Sequence, residues 1–424
     1  MSMRHTCLSA AFAASLVSAA VPAVVSQAQA QQLAFGQAEW QQNYDSALRS
    51  RIERSNTPML SPDAVAATEQ AVERLRAVAA NGGWGTVSKQ RMKLGTRSQD
   101  VVALRQRLIA SGDLDASAGG SNVFDSYVEA AVRRFQFRHG LVQSGVLNPG
   151  TISAMNISAD VRLRQLELNL VRLRSFSGNL GRKYVIVNMP SATVETVADN
   201  HVVTRHAAGV GKVDRQSPIF NSRITEVNFN PFWTVPASII RKDLIPKMRK
   251  EPNYLTDNKI RIYDAAGTEI QPSQVNWNTY EATRYRFRQD PGADLNSMGF
   301  VRINIPNPYG VYMHDTPAKG VFGDDFRFVS SGCVRMQNVR DYIAFLLQDT
   351  PGWDSNKIQQ AIDSGKRIDA PLAQPVPVYW TYISAWATPD GMMQFRPDIY
   401  DRDGLGLGGQ IAALEANDSE ASKH

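Results

Sequence analysis

The spacing of apolar residues changes once along this chain, and that change limits the architectures open to it. Up to about residue 174 the apolar positions recur at helical intervals. From Tyr184 onward they sit in short β-branched and aromatic runs separated by turn residues, as in Tyr184 to Val187, Val194 to Val197, His201 to Thr204, Ile224 to Phe229 and Val301 to Ile305. A helical period will not settle as a strand, nor a strand period as a helix. Helices therefore gather in the first part of the chain and strands in the second, which predicts an α+β multidomain protein.

The helical part has several pieces. Ser61-Pro62 reads as an N-cap followed by proline at the first helical position, with Val65, Val72, Leu75 and Ala79 on one side and a stop at Asn81-Gly82-Gly83. This stretch is expected to be a helical support layer within residues 31–90. Residues 93–156 form a compact unit. Leu94-Gly95 leads into a helix with Val101, Leu104 and Leu108 on one face, and Phe124-Asp125 opens a second that carries Val128, Ala131, Val132 and Phe135. Gly140 ends the second helix, and the unit closes at Asn156. By pattern alone it is a three-helix module. A further helix with Leu163, Leu166, Leu170 and Leu173 on one side, and Arg162, Arg164, Arg172 and Arg174 among its polar positions, is expected to join the two parts.

Residues 1–30 read as a secretory signal peptide. Arg4 and His5 precede an apolar stretch from Leu8 to Val25, and Ala28-Gln29-Ala30 suits cleavage. Ser15, Ser18 and Pro22 interrupt that stretch, which falls short of the roughly 20 apolar residues a membrane span needs. Gln31 stands where a lipoprotein would need cysteine. The mature chain is thus expected to be soluble outside the cytoplasm, with about 390 residues in two or three domains. The full sequence carries a formal charge of +6, and losing Arg4 with the signal leaves +5, a mildly basic balance that suits a polyanion such as the cell wall; export makes nucleic acid the poorer partner.

Export leaves Cys333 as the one cysteine of the mature chain, since Cys7 leaves with the signal. Exported proteins use cysteines mainly in pairs, and an idle thiol there invites oxidation. Ser330, Ser331, Gly332 and Arg335 are poor company for a cysteine acting merely as a small core hydrophobe. A nucleophile is the alternative, and it needs a base and oxyanion donors. Among six histidines, His314 ends a predicted strand nineteen positions before Cys333 and is the best candidate. His5 is cleaved, His424 is terminal, His139 lies in the three-helix unit, and His201 and His206 fall on a hairpin.

Magnitudes divide the work between base and turn. A thiol of ordinary pKa is roughly 3% ionised at pH 7, so full ionisation gains about thirtyfold. One good oxyanion donor supplies roughly 10² to 10³. The backbone N–H groups around Ser331-Gly332-Cys333 therefore matter as much as His314, and Gly332 permits close approach there. Asn338 is expected to cap a helix bearing Val339, Tyr342, Ile343, Leu346 and Leu347, which would anchor the turn. Residues 239–297 interrupt the strand pattern with a charged, aromatic segment (Lys242, Lys247, Arg249, Lys250, Trp277, Tyr280, Tyr285, Arg286) expected to act as a lid or binding loop. Gly209-Val-Gly-Lys212 is not a nucleotide loop, because Val213 follows where Ser or Thr is required.

His314-Asp-Thr, Gly323 and Ser330-Ser-Gly-Cys-Val-Arg-Met336 together are similar to the signature of the L,D-transpeptidase catalytic domain, His-x-Thr…Ser-x-Gly-Cys-x-Arg. Arg288-Gln-Asp-Pro-Gly292, Asn307-Pro, Val311-Tyr-Met-His-Asp-Thr-Pro317 and Phe322 resemble its long, lid-bearing members. The Leu-Gly, Phe-Asp, Ala-Val-x-x-Phe-Gln and Gly-Leu order of residues 93–156 resembles the peptidoglycan-binding domain, a module that holds an enzyme on its insoluble substrate. Lys212 with Ser217-Pro218 resembles a non-catalytic stretch of the catalytic domain.

The resemblance implies a division into signal peptide 1–30, helical support 31–90, peptidoglycan-binding domain 91–157 and a mostly β catalytic domain 158–424, with 239–297 as the inserted capping segment. It implies that Cys333 attacks the L-centre carbonyl of the third stem residue and expels terminal D-alanine, and that an amine of a neighbouring stem resolves the thioester to a 3→3 cross-link. His314 would move the protons, and Gly332 and Cys333 would donate N–H groups to the oxyanion. Arg335 would position the turn or a substrate carboxylate, and Tyr312 and Ser331 would line the substrate site. No cofactor or metal is implied. Peptidoglycan is the partner, nucleic acid and a membrane span are not expected, and carbapenem β-lactams are expected to acylate the thiol. Many relatives have histidine where this chain has Ser331, which leaves His314 alone as base. A stem-peptide hydrolase such as an L,D-carboxypeptidase and an inert wall-binding scaffold stay open as alternatives. A sortase-like Cys/His/Arg enzyme is disfavoured by the spacing.

Overall fold

The computed structural model describes residues 55–407 apart from 177 and 293, together with residues 413 and 414. The expected signal peptide and the first part of the support region lie outside the described residues.

Helix α1 (Pro62–Ala80) starts where Ser61 Oγ accepts the Ala64 N–H at 3.2 Å. It packs on α5 (Ala159–Phe176) through Ala67, Ala71, Val72 and Leu75. Helices α2 (Gln99–Ala110), α3 (Ser126–Arg138) and α4 (Pro149–Met155) make the three-helix unit around Val101, Leu104, Leu108, Phe124, Val132 and Phe135. Their starts are capped as the residue types require: Asp125 accepts from Val128 N at 3.1 Å and Asn148 from Thr151 N at 2.9 Å. Arg162 departs from the polar face expected of it. It is buried, donates to Gln165 Oε1 at 2.8 Å and lies over the Phe395 ring, because α5 is covered on this side by the end of the chain.

The remaining strands are β1 (Lys183–Asn188), β2 (Thr193–Ala198), β3 (His201–Gly211), β4 (Phe220–Phe229), β5 (Trp233–Thr234), β6 (Ile260–Tyr263), β7 (Glu269–Ile270), β8 (Arg286–Gln289), β9 (Val301–Asn304), β10 (Met313–His314), β11 (Phe328–Ser330), β12 (Val334–Met336), β13 (Ile368–Thr381), β14 (Ala385–Ala387) and β15 (Met393–Phe395). Nine of them form one sheet in the order β11-β3-β12-β10-β9-β4-β13-β1-β2. The β2–β3 hairpin, turned at Asp199-Asn200 with both residues at positive φ, also pairs, so the strip closes on itself. Helix α6 (Val339–Leu347) covers the core with Val339, Tyr342, Ile343, Leu346 and Leu347.

Asn338 precedes α6 but does not cap it through its side chain. Its backbone is left-handed (φ 46°, ψ 45°) and no side-chain bond to the helix is made, since the chain must turn sharply out of β12 there. The segment after β4 forms a second, four-stranded sheet, β5-β8-β6-β7, with its own core of Val235, Ile240, Leu244, Ile262 and Phe287. The expected interruption is thus a folded layer and not a loop.

Candidate active site

Strand alternation explains how the motif residues meet. In β10 and β12, Met313 and Val334 pair in parallel and are wholly buried in the core. The flanking residues Tyr312, His314, Cys333 and Arg335 must then face the other side of the sheet. The Val334 N–H donates to Tyr312 O at 3.0 Å, which lays Cys333 beside Tyr312, while His314 registers with Arg335 on one side and Arg302 on the other.

The turn carrying the thiol is tied down by hydroxyl groups. Ser330 Oγ donates to Cys333 O at 2.6 Å and accepts the Gly332 N–H at 3.1 Å, so the serine closes its own turn. Gly332 has φ +110°, and a Cβ would meet Val311 Cγ1 at 3.4 Å and Gln216 O at 3.5 Å. Ser217 Oγ donates to Gly332 O at 2.8 Å and accepts from Gly211 N at 3.0 Å, while the Tyr400 hydroxyl donates to Gly211 O at 2.6 Å. The Gly332 N–H, expected as an oxyanion donor, is therefore occupied by Ser330. The Cys333 N–H is left as the donor beside the sulfur with no partner among the described residues.

The charge states also differ from a preformed thiolate. Burial pushes the Cys333 thiol up to about 11, against the opposing pull of the Tyr312 N–H and hydroxyl and of Arg302 and Arg335. Burial, seconded by Arg335, pushes His314 down to about 3. At neutral pH the pair is a thiol and a neutral imidazole, and no hydrogen bond joins them. Since a carbonyl can only accept, His314 Nδ1 carries the proton it donates to Asp315 O at 2.5 Å, leaving the Nε2 lone pair as acceptor. Asp315 is itself fixed by the Phe300 N–H at 3.2 Å and by Lys319. The arrangement can take a proton from sulfur as the sulfur attacks, instead of storing charge beforehand.

Two contacts come from the second sheet and its approach. Arg215 donates to both carboxylate oxygens of Asp243, at 2.6 and 3.0 Å, and to Ser331 Oγ at 2.9 Å. The Trp233 side chain of β5 faces the Tyr312 hydroxyl, whose ionisation is pushed up chiefly by burial. All six residues expected at the site, Cys333, His314, Gly332, Arg335, Tyr312 and Ser331, thus lie on this face or its turn. The supporting residues Arg302, Arg215, Trp233 and Tyr400 were not foreseen, because their roles come from pairings distant in sequence. Lys212 to Ser217 was singled out only by likeness, and the structure puts Ser217 beneath the turn. The other histidines among the described residues are engaged elsewhere: His139 stacks on Phe135 at 3.8 Å, His206 lies against Gln337 O at 3.0 Å, and His201 lies against Asp199 O at 2.8 Å.

Comparison with known proteins bears on the same segments. Residues 182–356 match the model of the L,D-transpeptidase catalytic domain, and residues 97–155 match the one described as "Putative peptidoglycan binding domain". A curated Haemophilus influenzae protein named "Putative L,D-transpeptidase" is 31% identical over 240 residues, which is 57% of this chain and 48% of that protein. The chain spans about half the length of this relative. Among solved structures, an L,D-transpeptidase from Stackebrandtia nassauensis is 14% identical with TM-score 0.27, covering 70% of this chain and 97% of that one. One from Mycobacterium smegmatis is 12% identical with TM-score 0.23, covering 47% and 58%. The matched catalytic domain encloses His314, Cys333 and Arg335. Residues 182–356 thus resemble the L,D-transpeptidase catalytic domain, and residues 97–155 a putative peptidoglycan-binding domain.

Proposed function

We propose that this protein is an exported, cell-wall-associated L,D-transpeptidase that acts in the periplasm through a Cys333 thioester and forms 3→3 cross-links between peptidoglycan stems. The observation that carries this reading is the shared sheet face of Cys333, Tyr312, His314 and Arg335 within the matched catalytic domain. In acylation, sulfur bonds to the L-centre carbonyl carbon of the third stem residue while the thiol proton passes to His314 Nε2. The C–N bond to terminal D-alanine then breaks, and its nitrogen takes that proton. The Cys333 N–H stabilises the oxyanion, and a neutral imidazole suits both proton transfers. In resolution, an acceptor amine bonds to the same carbon and the C–S bond breaks.

We assign residues 1–30 to a signal peptide, 91–157 to wall binding, 158–424 to catalysis and 239–297 to a lid whose closure excludes water from the thioester. Exclusion of water favours transfer over hydrolysis. Carbapenems, as strained acyl donors, are expected to acylate Cys333.

The test is incubation of purified protein and its Cys333→Ala variant with tetrapeptide muropeptides, with products weighed by mass spectrometry. Cysteine-dependent cross-linked dimers support the reading. Tripeptides without dimers would convert it to a carboxypeptidase, and no cysteine-dependent product would leave a wall-binding scaffold.

A further inference from the structure

Arg302 sits beside His314 and its charge favours the ionised sulfur, but no step of acylation uses its hydrogen-bond donors. Its register places it opposite His314 across β9 and β10, and Asn228 of β4 lies opposite it on the other side. Val301 and Ile303 are wholly buried in the core, so Arg302 faces the same side as the thiol. A polar row thus crosses the sheet at one level: Asp369, Asn228, Arg302, His314 and Arg335.

The guanidinium lies 4.8 Å over the Tyr312 ring and donates from Nη2 to Asn304 Oδ1 at 3.2 Å. Its Nε is buried without a hydrogen-bond partner. Among the described residues no carboxylate lies within ion-pair distance of it. The nearby acids are already engaged: Asp369 with Arg367 at 2.9 Å and Asn228 at 2.8 Å, and Glu226 with Asn228 at 2.6 Å. A half-buried guanidinium with spare donors is costly to keep unless an anion visits it. Arg335 flanks His314 on the strand that carries Cys333, so the two cations lie on opposite sides of the base.

The chemistry of resolution supplies an anion in the right place. If the acceptor is the amino end of a stem residue that also bears a carboxylate on the same carbon, the amine that gives its proton to His314 brings that carboxylate within two bonds of the attacking nitrogen. We propose that Arg302 binds the carboxylate adjacent to the acceptor's attacking amine, and so selects α-amino-acid acceptors over plain amines. This rests on the transfer reading above. In the step itself the neutral amine forms the N–C bond and the C–S bond breaks. One proton passes from nitrogen through His314 Nε2 to the departing sulfur.

The experiment follows cross-link formation with two acceptors that differ only in a free or amidated carboxylate on the amine-bearing carbon, while D-alanine release reports acylation. The wild type is expected to prefer the free carboxylate at least tenfold in acceptor kcat/KM. Arg302→Gln is expected to lower that preference to about twofold or less, and to raise hydrolysis relative to transfer. Arg302→Lys keeps the charge but loses the fork, and should fall between. An equal use of both acceptors by the wild type, or retained discrimination in a folded, acylation-competent Arg302→Gln, overturns the proposal. Tripeptide alone from the wild type with either acceptor instead overturns the transfer reading, and this inference with it.

Discussion

Arg215 holds Asp243 through both guanidinium ends and, with the same Nη1, reaches Ser331 beside Gly332 and Cys333. One side chain therefore ties the helical edge of the second sheet to the thiol-bearing turn. Because Asp243 is partly exposed, the pair is worth only about 1 kcal/mol. Asp243→Ala is expected to speed hydrogen exchange over Ile240 to Lys250 by about fivefold, with little change in melting temperature. Exchange measured by mass spectrometry checks this, and an unchanged rate would mean the ion pair anchors nothing.

Cys333 alkylation should report a thiol and not a stored thiolate. With its pKa pushed up to about 11, the ionised fraction near pH 7 is about one part in 10⁴, and it rises tenfold per pH unit. Iodoacetamide labelling is expected to climb steadily from pH 7 to 10. A profile flat across that range would indicate a thiolate–imidazolium pair.

Tyr312→Phe removes the hydroxyl that favours the ionised sulfur. Labelling at pH 9 should slow several-fold relative to the wild type, since one hydrogen bond to a charged acceptor is worth about 1.5 kcal/mol or more. Equal rates would show that the backbone N–H alone matters.

A methyl group on Gly211 would lie 2.3 Å from Arg215 O and 2.5 Å from Ser217 N, both backbone atoms that cannot step aside cheaply. Gly211→Ala is expected to cost about 2 kcal/mol or more in urea unfolding. It should also slow D-alanine release, because Ser217 would no longer hold Gly332 O.

The buried histidines make the fold acid-sensitive. His314, His139 and His206 all have pKa values depressed mainly by burial, to about 3 for His314. The unfolded chain takes up protons near pH 6.5 while the folded one resists. Their contribution is thus complete above that value and is lost as pH falls below 6.5, for His314 down toward 3, at up to about 1.4 kcal/mol per pH unit for a group. Urea melts between pH 7 and 4 should show this slope, and His139→Phe should reduce it by about one proton.

Much of this architecture was legible because local signals agreed with tertiary ones. Ser61, Asp125 and the Asp199-Asn200 turn each do locally what their residue types suggest. The helical face of α6 was equally plain. Strand β13 was not, since Pro371, Pro375 and Pro377 argue against a long central strand. The structure admits it through a register shift between Pro371 and Val376. Arg162 misled because its charge hides an aliphatic stem that α5 buries. In the site, Cys333 and His314, the proposed nucleophile and base, were visible as a motif. Arg302 and Arg215 depend on strand register and on a separate layer, neither of which a linear reading contains.

The place of β13 has a consequence for how this chain is made. It lies between β4 and β1, which it pairs with antiparallel and parallel, so those strands leave a gap until residues 368–381 arrive. A chain emerging from its N-terminus presents the motif cysteine some thirty-five residues before the strand that completes the sheet around it. A product truncated before residue 368 would leave β1 and β4 without the strand that joins them, and it is expected to be open to proteases.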